Sequence, residues 1–164
     1  MTVVDPKWLT DAEQRAWRAF IEANRLLFEV LDRQLQQEAG IPHAYYEILV
    51  QLSEAPGRSL RMSRLADSTR SSRSRLSHAV DRLVDRGWIE RVDCETDRRG
   101  QVAKLTDVGF AALAAAAPGH VAAVQRHMMQ RLTPGQVAEL EQISNAILSG
   151  LAPMCEAAQE RAQG

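Results

Sequence analysis

The stretch from Ser71 to Gly109 constrains the fold of this chain more than any other. From Ser72 to Arg86 the apolar residues Leu76, Val80, Leu83 and Val84 recur at i, i+4, i+7 and i+8, the spacing of one buried helix side. Ser71 or Ser72 can cap the start of that helix, and Gly87 ends it. Two strand-like runs follow, Trp88 to Asp93 and Gln101 to Leu105, around the polar, arginine-bearing linker from Cys94 to Gly100. A helix joined to such a hairpin can lie in the major groove of DNA while the hairpin tip meets the minor groove.

Helical patterns flank this unit. Thr10 and Glu13 have capping-box spacing for a helix from about Asp11 to Glu38, with Ala16, Phe20, Leu27, Leu31 and Leu35 as its apolar stripe and Gly40 as its stop. Pro42 opens a second helix, with Tyr45, Ile48, Leu49 and Leu52 inward. Ala55-Pro56-Gly57 reads as a turn, Ser59 to Met62 as extended and Ser63 to Asp67 as a short helix. Thr106 caps a long helix to about Arg131, kinked or broken at Pro118-Gly119. Thr133, Pro134 and Gln136 start a last helix to about Gly150, with Val137, Leu140, Ile143 or Ser144, and Ile147 inward. The expected fold is mainly α with a small β wing. A winged helix-turn-helix over 41–105 is flanked by long dimerisation helices in 1–40 and 106–164.

The 164 residues suffice for a real core, and 45% apolar content fits a folded domain. No apolar run reaches the roughly 18 residues that span a bilayer, and no signal peptide is evident at the start, so a cytoplasmic protein without a membrane partner is expected. The net charge of −1 conceals an asymmetry: 12 basic and 7 acidic residues between Arg58 and Lys104 give +5, against −6 elsewhere. A basic segment in an acidic chain suits a polyanion, although chance clustering on a charged surface gives the same count.

Arg73, Ser74, Ser77 and His78 fall away from the apolar side of the central helix, with Arg75 on its flank. Arginine pairs bidentately with guanine, and serine meets bases or phosphates. Ser72 at the helix start belongs to the same candidate set. Arg64 and Arg70 suit backbone contacts, which position a protein without reading sequence. A solvated helix face would look the same in isolation. The turn Asp97-Arg98-Arg99-Gly100 adds guanidinium groups at a hairpin tip, suited to a narrow, electronegative minor groove.

The run DRRGQVAKLTDVG, Asp97 to Gly109, resembles the wing signature of the MarR family of bacterial transcription regulators: Asp-x-Arg, alternating strand residues, then Leu-Thr-x-x-Gly. RLSHAVDRLVDRGWIER, Arg75 to Arg91, is similar to the family's recognition helix and first wing strand, and the long terminal helices match its dimerisation elements. The resemblance implies a homodimer on a pseudo-palindromic operator in double-stranded DNA, and a repressor is expected. It implies Arg99 in the minor groove, Arg98 at a phosphate or exposed, and Asp97 buttressing the wing against Arg82. An Asx-type turn is the other reading of Asp97. Many relatives respond to small aromatic or anionic effectors beside the dimer helices; Trp17, His43, Tyr45 and Tyr46 are candidates here, although aromatics at helical spacing are usually packing.

Oxidant-sensing relatives carry a cysteine near the start of the first helix, and this chain has none there. Cys94, at the wing base, and Cys155 read as passive thiols. His120 and His127 have no helpful ligand spacing around them, so neither a metal nor a cofactor is expected. No phosphate loop, nucleophile elbow or HExxH is present, so an enzyme is not expected. A winged-helix scaffold serving protein–protein interaction is the alternative to DNA binding, and salt-dependent binding to duplex DNA separates the two.

Overall fold

The computed structural model describes residues 7–93 and 101–161, with side chains as far as Leu151. Helix α1 (Asp11–Ala39) starts as its capping box dictates: the Thr10 hydroxyl accepts the Glu13 N–H at 3.3 Å, and the Glu13 carboxylate accepts the Thr10 N–H at 2.7 Å. Gly40 ends it in the left-handed region at φ 66°, donating its N–H to Gln36 at 3.1 Å. Only the end of the expected stripe is buried, at Leu31 and Leu35; Ala16 and Phe20 are exposed and Leu27 is half-buried. Among the described residues the first two-thirds of α1 stay largely exposed, with Trp17, Phe20, Ile21, Leu26 and Phe28 open to solvent.

Helix α2 (His43–Glu54) follows Pro42 and buries Tyr46, Ile48, Leu49 and Leu52. Tyr46 takes the buried place expected for Tyr45, which packs half-buried at the core margin. Strand β1 (Ser59–Arg61) leads directly into α3 (Met62–Ser68), and a tight turn leads into α4 (Arg73–Asp85). Strands β2 (Ile89–Asp93) and β3 (Gln101–Leu105) complete an antiparallel sheet in the order β1-β3-β2. Leu60 and Arg91 flank Ala103 across it, and Ile89 pairs with Leu105. The central position of β3 explains why Ala103 and Leu105 are buried.

Leu76, Val80 and Leu83 of α4 join Leu35, Ile41, Leu49, Leu52, Leu65 and Ile89 in one core. Val84 departs from the expected pattern and is 36% exposed. It lies about 100° around the helix from Leu83, past the edge of the buried stripe.

Helix α5 (Asp107–His127) is continuous through Pro118 and Gly119, where a kink or break was expected, and ends before Arg131 in a short 3₁₀ turn at Met129–Arg131. Proline removes one N–H, but flanking alanines hold their helical backbone without it. Over Asp107–Arg131 the chain is long and apolar enough by composition to cross a membrane, correcting the expectation that no such run exists. Much of that apolarity is alanine, and Leu113, Ala116 and Ala123 are buried in the fold.

Helix α6 (Pro134–Arg161) passes the expected stop at Gly150, since an interior glycine costs about 1 kcal/mol without breaking the hydrogen-bond ladder. Its expected inward residues are not buried: Val137, Ile143 and Ile147 are exposed, and Leu140 and Ser144 are half-buried. Contacts divide the chain into two compact units, one reaching to Ala123 and the other starting at Val124.

Candidate nucleic-acid interface

Local hydrogen bonds close the turn between α3 and α4. The Thr69 hydroxyl donates to the Leu65 carbonyl at 2.8 Å, the Ser71 N–H reaches Ala66 at 3.0 Å and the Arg70 N–H reaches Asp67 at 3.3 Å. Arg70 sits at φ 52°, a left-handed conformation unusual for a residue with a Cβ. The tight turn sets α4 at a fixed approach to α3, and the Arg70 side chain is exposed beside it.

The Ser72 hydroxyl caps α4 by accepting the Arg75 N–H at 3.3 Å. Beyond the cap, Arg73, Ser74, Arg75 and His78 are exposed, as is Arg64 on α3. Leu76, Val80 and Leu83 anchor the opposite side. The structure therefore brings the sequence candidates of α4 onto one solvent-facing end, except Ser77, which is half-buried on the flank toward the sheet. There its carbonyl and hydroxyl oxygens accept hydrogen bonds from Arg91 of β2 at 3.3 and 3.2 Å. Arg91 also pairs with Asp81 at 2.7 Å and bonds Gln101 of β3. Sequence reading missed Arg91, because no periodicity relates it to Ser77, 14 residues earlier; only the packing of β2 on α4 does.

Cys94, Asp97, Arg98 and Arg99 lie outside the described residues. Arg82 is exposed and forms no ion pair among the described residues. The described tie between helix and wing has the reverse polarity, with the acid on α4 and the arginine on β2.

The base of the wing is held by the threonine and glycine of the Leu-Thr-x-x-Gly run. Thr106 Oγ1 lies 2.7 Å from the Gly87 carbonyl oxygen and accepts the Gly109 N–H at 3.0 Å, joining the end of α4 to the start of α5. Arg58 lies 3.8 Å from the Phe110 ring centroid and pairs with Asp107 at 3.1 Å.

Of the effector candidates, His43 and Tyr46 come together, and the structure adds Phe28 and His120 to them. The His43 ring lies 5.4 Å from Phe28 and 5.6 Å from His120, and Tyr46 lies 4.6 Å from His120. Asp32 fixes the start of α2 by accepting the His43 N–H at 2.8 Å. Burial, then the nearby His43, hold the His120 imidazole below its ordinary pKa, and burial raises the Tyr46 phenol. His120 Nδ1 and Gln34 Oε1 are buried without a hydrogen-bond partner among the described residues. Trp17 is 56% exposed, about 16 Å along α1 from Phe28.

Residues 39–100 match the sequence model of the MarR family. Sco3205, a MarR family transcriptional regulator from Streptomyces coelicolor solved in complex with DNA, is 52% identical, with 90% of this chain and 92% of that one aligned at a TM-score of 0.86. The chain belongs to the MarR family of transcriptional regulators. AbsC, a MarR family transcriptional regulator from the same organism, is 44% identical over 90% of this chain and 99% of that one, at a TM-score of 0.84. The transcriptional repressor MprA of Escherichia coli (strain K12) is 30% identical over 115 residues, 70% of this chain and 65% of that protein. The chain thus spans just under two thirds of this curated relative, so its MarR-family membership rests chiefly on the near full-length structural match.

Proposed function

We propose that this MarR-family chain is a homodimeric repressor that binds a pseudo-palindromic operator in double-stranded DNA. One observation carries the reading: α4 is anchored by Leu76, Val80 and Leu83 while Arg73, Ser74, Arg75 and His78 stand exposed beyond a serine cap, beside a two-stranded wing. That is how a recognition helix presents its N-terminal half to base edges. A relative 52% identical was solved in complex with DNA, which supports DNA as the partner. Arg64 and Arg70 take the phosphate backbone, Ser72 the start of the helix, and Asp97, Arg98 and Arg99 the wing, with Arg99 in the minor groove. Asp97 buttresses the wing, with Arg82 as its partner on the helix.

Dimerisation follows from the uncovered apolar faces. Trp17, Phe20, Ile21 and Phe28 of α1, and Ile143, Ile147, Leu148 and Leu151 of α6, are each more than 40% exposed. Apolar area on that scale is rarely left to water, and a second copy supplies two-fold symmetry matched to two half-sites. A small aromatic or anionic effector binding near His43, Tyr45 and Tyr46, with Trp17 reaching the site in the dimer, would release DNA by changing the separation of the two recognition helices. As a regulator of DNA from a bacterial family, the protein is proposed to act in the cytoplasm.

Selection of bound duplexes from a random pool tests the reading. Recovery of an inverted repeat, with affinity falling steeply as salt rises, is expected. Arg99→Ala should weaken that binding, and His78→Ala should change base preference more than overall affinity. Failure to bind any duplex in dilute buffer would favour a protein-binding module instead.

A further inference from the structure

We infer that Arg91 is a positioning residue that locks the wing onto the recognition helix and turns the Ser77 hydroxyl into a hydrogen-bond donor toward DNA. The inference rests on the DNA-binding reading above and names a residue that sets its specificity.

Arg91 lies in the middle of β2, opposite Ala103, and its side chain is only 24% exposed. Its guanidinium joins three elements. Nη2 donates to Asp81 Oδ1 at 2.7 Å, Ser77 Oγ at 3.2 Å and the Ser77 carbonyl at 3.3 Å, and Nη1 donates to Gln101 on β3. Ser77 and Asp81 are one helical turn apart, so Nη2 alone bridges two turns of α4 while Nη1 holds β3, and the planar fork spans helix and sheet. Arg58 and Arg86 bind elsewhere, to Asp107 and to the Gly40 carbonyl, and do not share this tie.

Two consequences follow. The charge of Arg91 is matched by the Asp81 carboxylate 2.7 Å away, so it adds little to phosphate attraction. And a serine oxygen that accepts from a cation turns its one O–H proton away from that cation. Where the flank of α4 that carries the half-buried Ser77 meets DNA, its hydroxyl then offers a donor, suited to guanine O6 or N7, thymine O4 or a phosphate oxygen, and disfavours the amino groups of cytosine and adenine.

The test uses the full chain, the duplex recovered by selection and a panel of single-base changes in it. Arg91→Gln is expected to weaken binding about tenfold, to leave the salt slope unchanged, and to flatten discrimination at the base positions that Ser77→Ala also flattens. The double variant should lose no further discrimination there. A salt slope reduced by about one would make Arg91 a phosphate contact and overturn the inference, as would unaltered base preference. Amide hydrogen exchange in the DNA-free protein gives an independent readout: Arg91→Gln, and the milder Arg91→Lys, should speed exchange between Ser77 and Asp81, while Arg91→Asp combined with Asp81→Arg should restore it. Unchanged exchange in both single variants would overturn the tie. If the unsubstituted protein ignores duplex DNA while exchange responds as expected, the DNA reading fails and the lock between helix and wing stands.

Discussion

A Cβ placed on Gly109 would stand 2.2 Å from the carbonyl oxygen of Trp88 and 2.8 Å from Leu105 Cδ1. The first turn of α5 therefore presses against the backbone where α4 gives way to β2, and only glycine allows the approach. Backbone cannot yield as a side-chain end can, so Gly109→Ala should destabilise the fold by about 2 kcal/mol or more. Urea unfolding checks this, and a midpoint within error of the native protein would contradict it.

Gly119 offers the opposite case in the same helix. A Cβ there would lie 2.5 Å from Glu38 Oε2 and 3.1 Å from Gln34 Nε2, both at the ends of flexible side chains. Alanine is favoured over glycine within a helix by about 1 kcal/mol. Gly119→Ala should leave the thermal midpoint unchanged or raise it slightly, as Glu38 swings aside. A fall as large as that of Gly109→Ala would show that α1 cannot accommodate it.

His120 gives the fold a pH dependence of fixed sign. Its folded-state pKa is lowered, first by burial and then by His43. Below the unfolded value, about 6.5, the unfolded chain binds more protons than the native one. The neutral ring's contribution is therefore present above that value and is lost as pH falls toward the folded value. Between about pH 7.5 and 5.5 the native protein should lose stability in urea titrations, and His120→Gln should lose less. Equal losses would assign the dependence to other groups.

The exposed apolar faces make a prediction about assembly. Phe20→Glu on α1 and Ile147→Glu on α6 should each shift sedimentation from dimer toward monomer, because a buried unpaired carboxylate costs several kcal/mol. The residues are 46% and 44% exposed in the single chain, so its own fold should change little in circular dichroism. A native protein that sediments as a monomer would remove the homodimer from the proposal.

The local grammar of this chain was legible in its sequence. Thr10 with Glu13, Ser72, Gly40 and Gly87 mark helix ends through hydrogen bonds and backbone angles that need only near neighbours. The core positions Leu76, Val80 and Leu83 followed from helical period alone. What depended on distant chain was decided by tertiary packing. Val84 slipped from the core because its neighbours leave the stripe's edge open, and Gly150 did not end α6 because a lone glycine only weakens a helix. Arg91 met Ser77 and Asp81, and His120 joined His43 and Tyr46, across separations that no periodic pattern encodes. Sequence fixes which face of each element is apolar through bonds a few residues long; which faces then meet is settled only when the shared core excludes water.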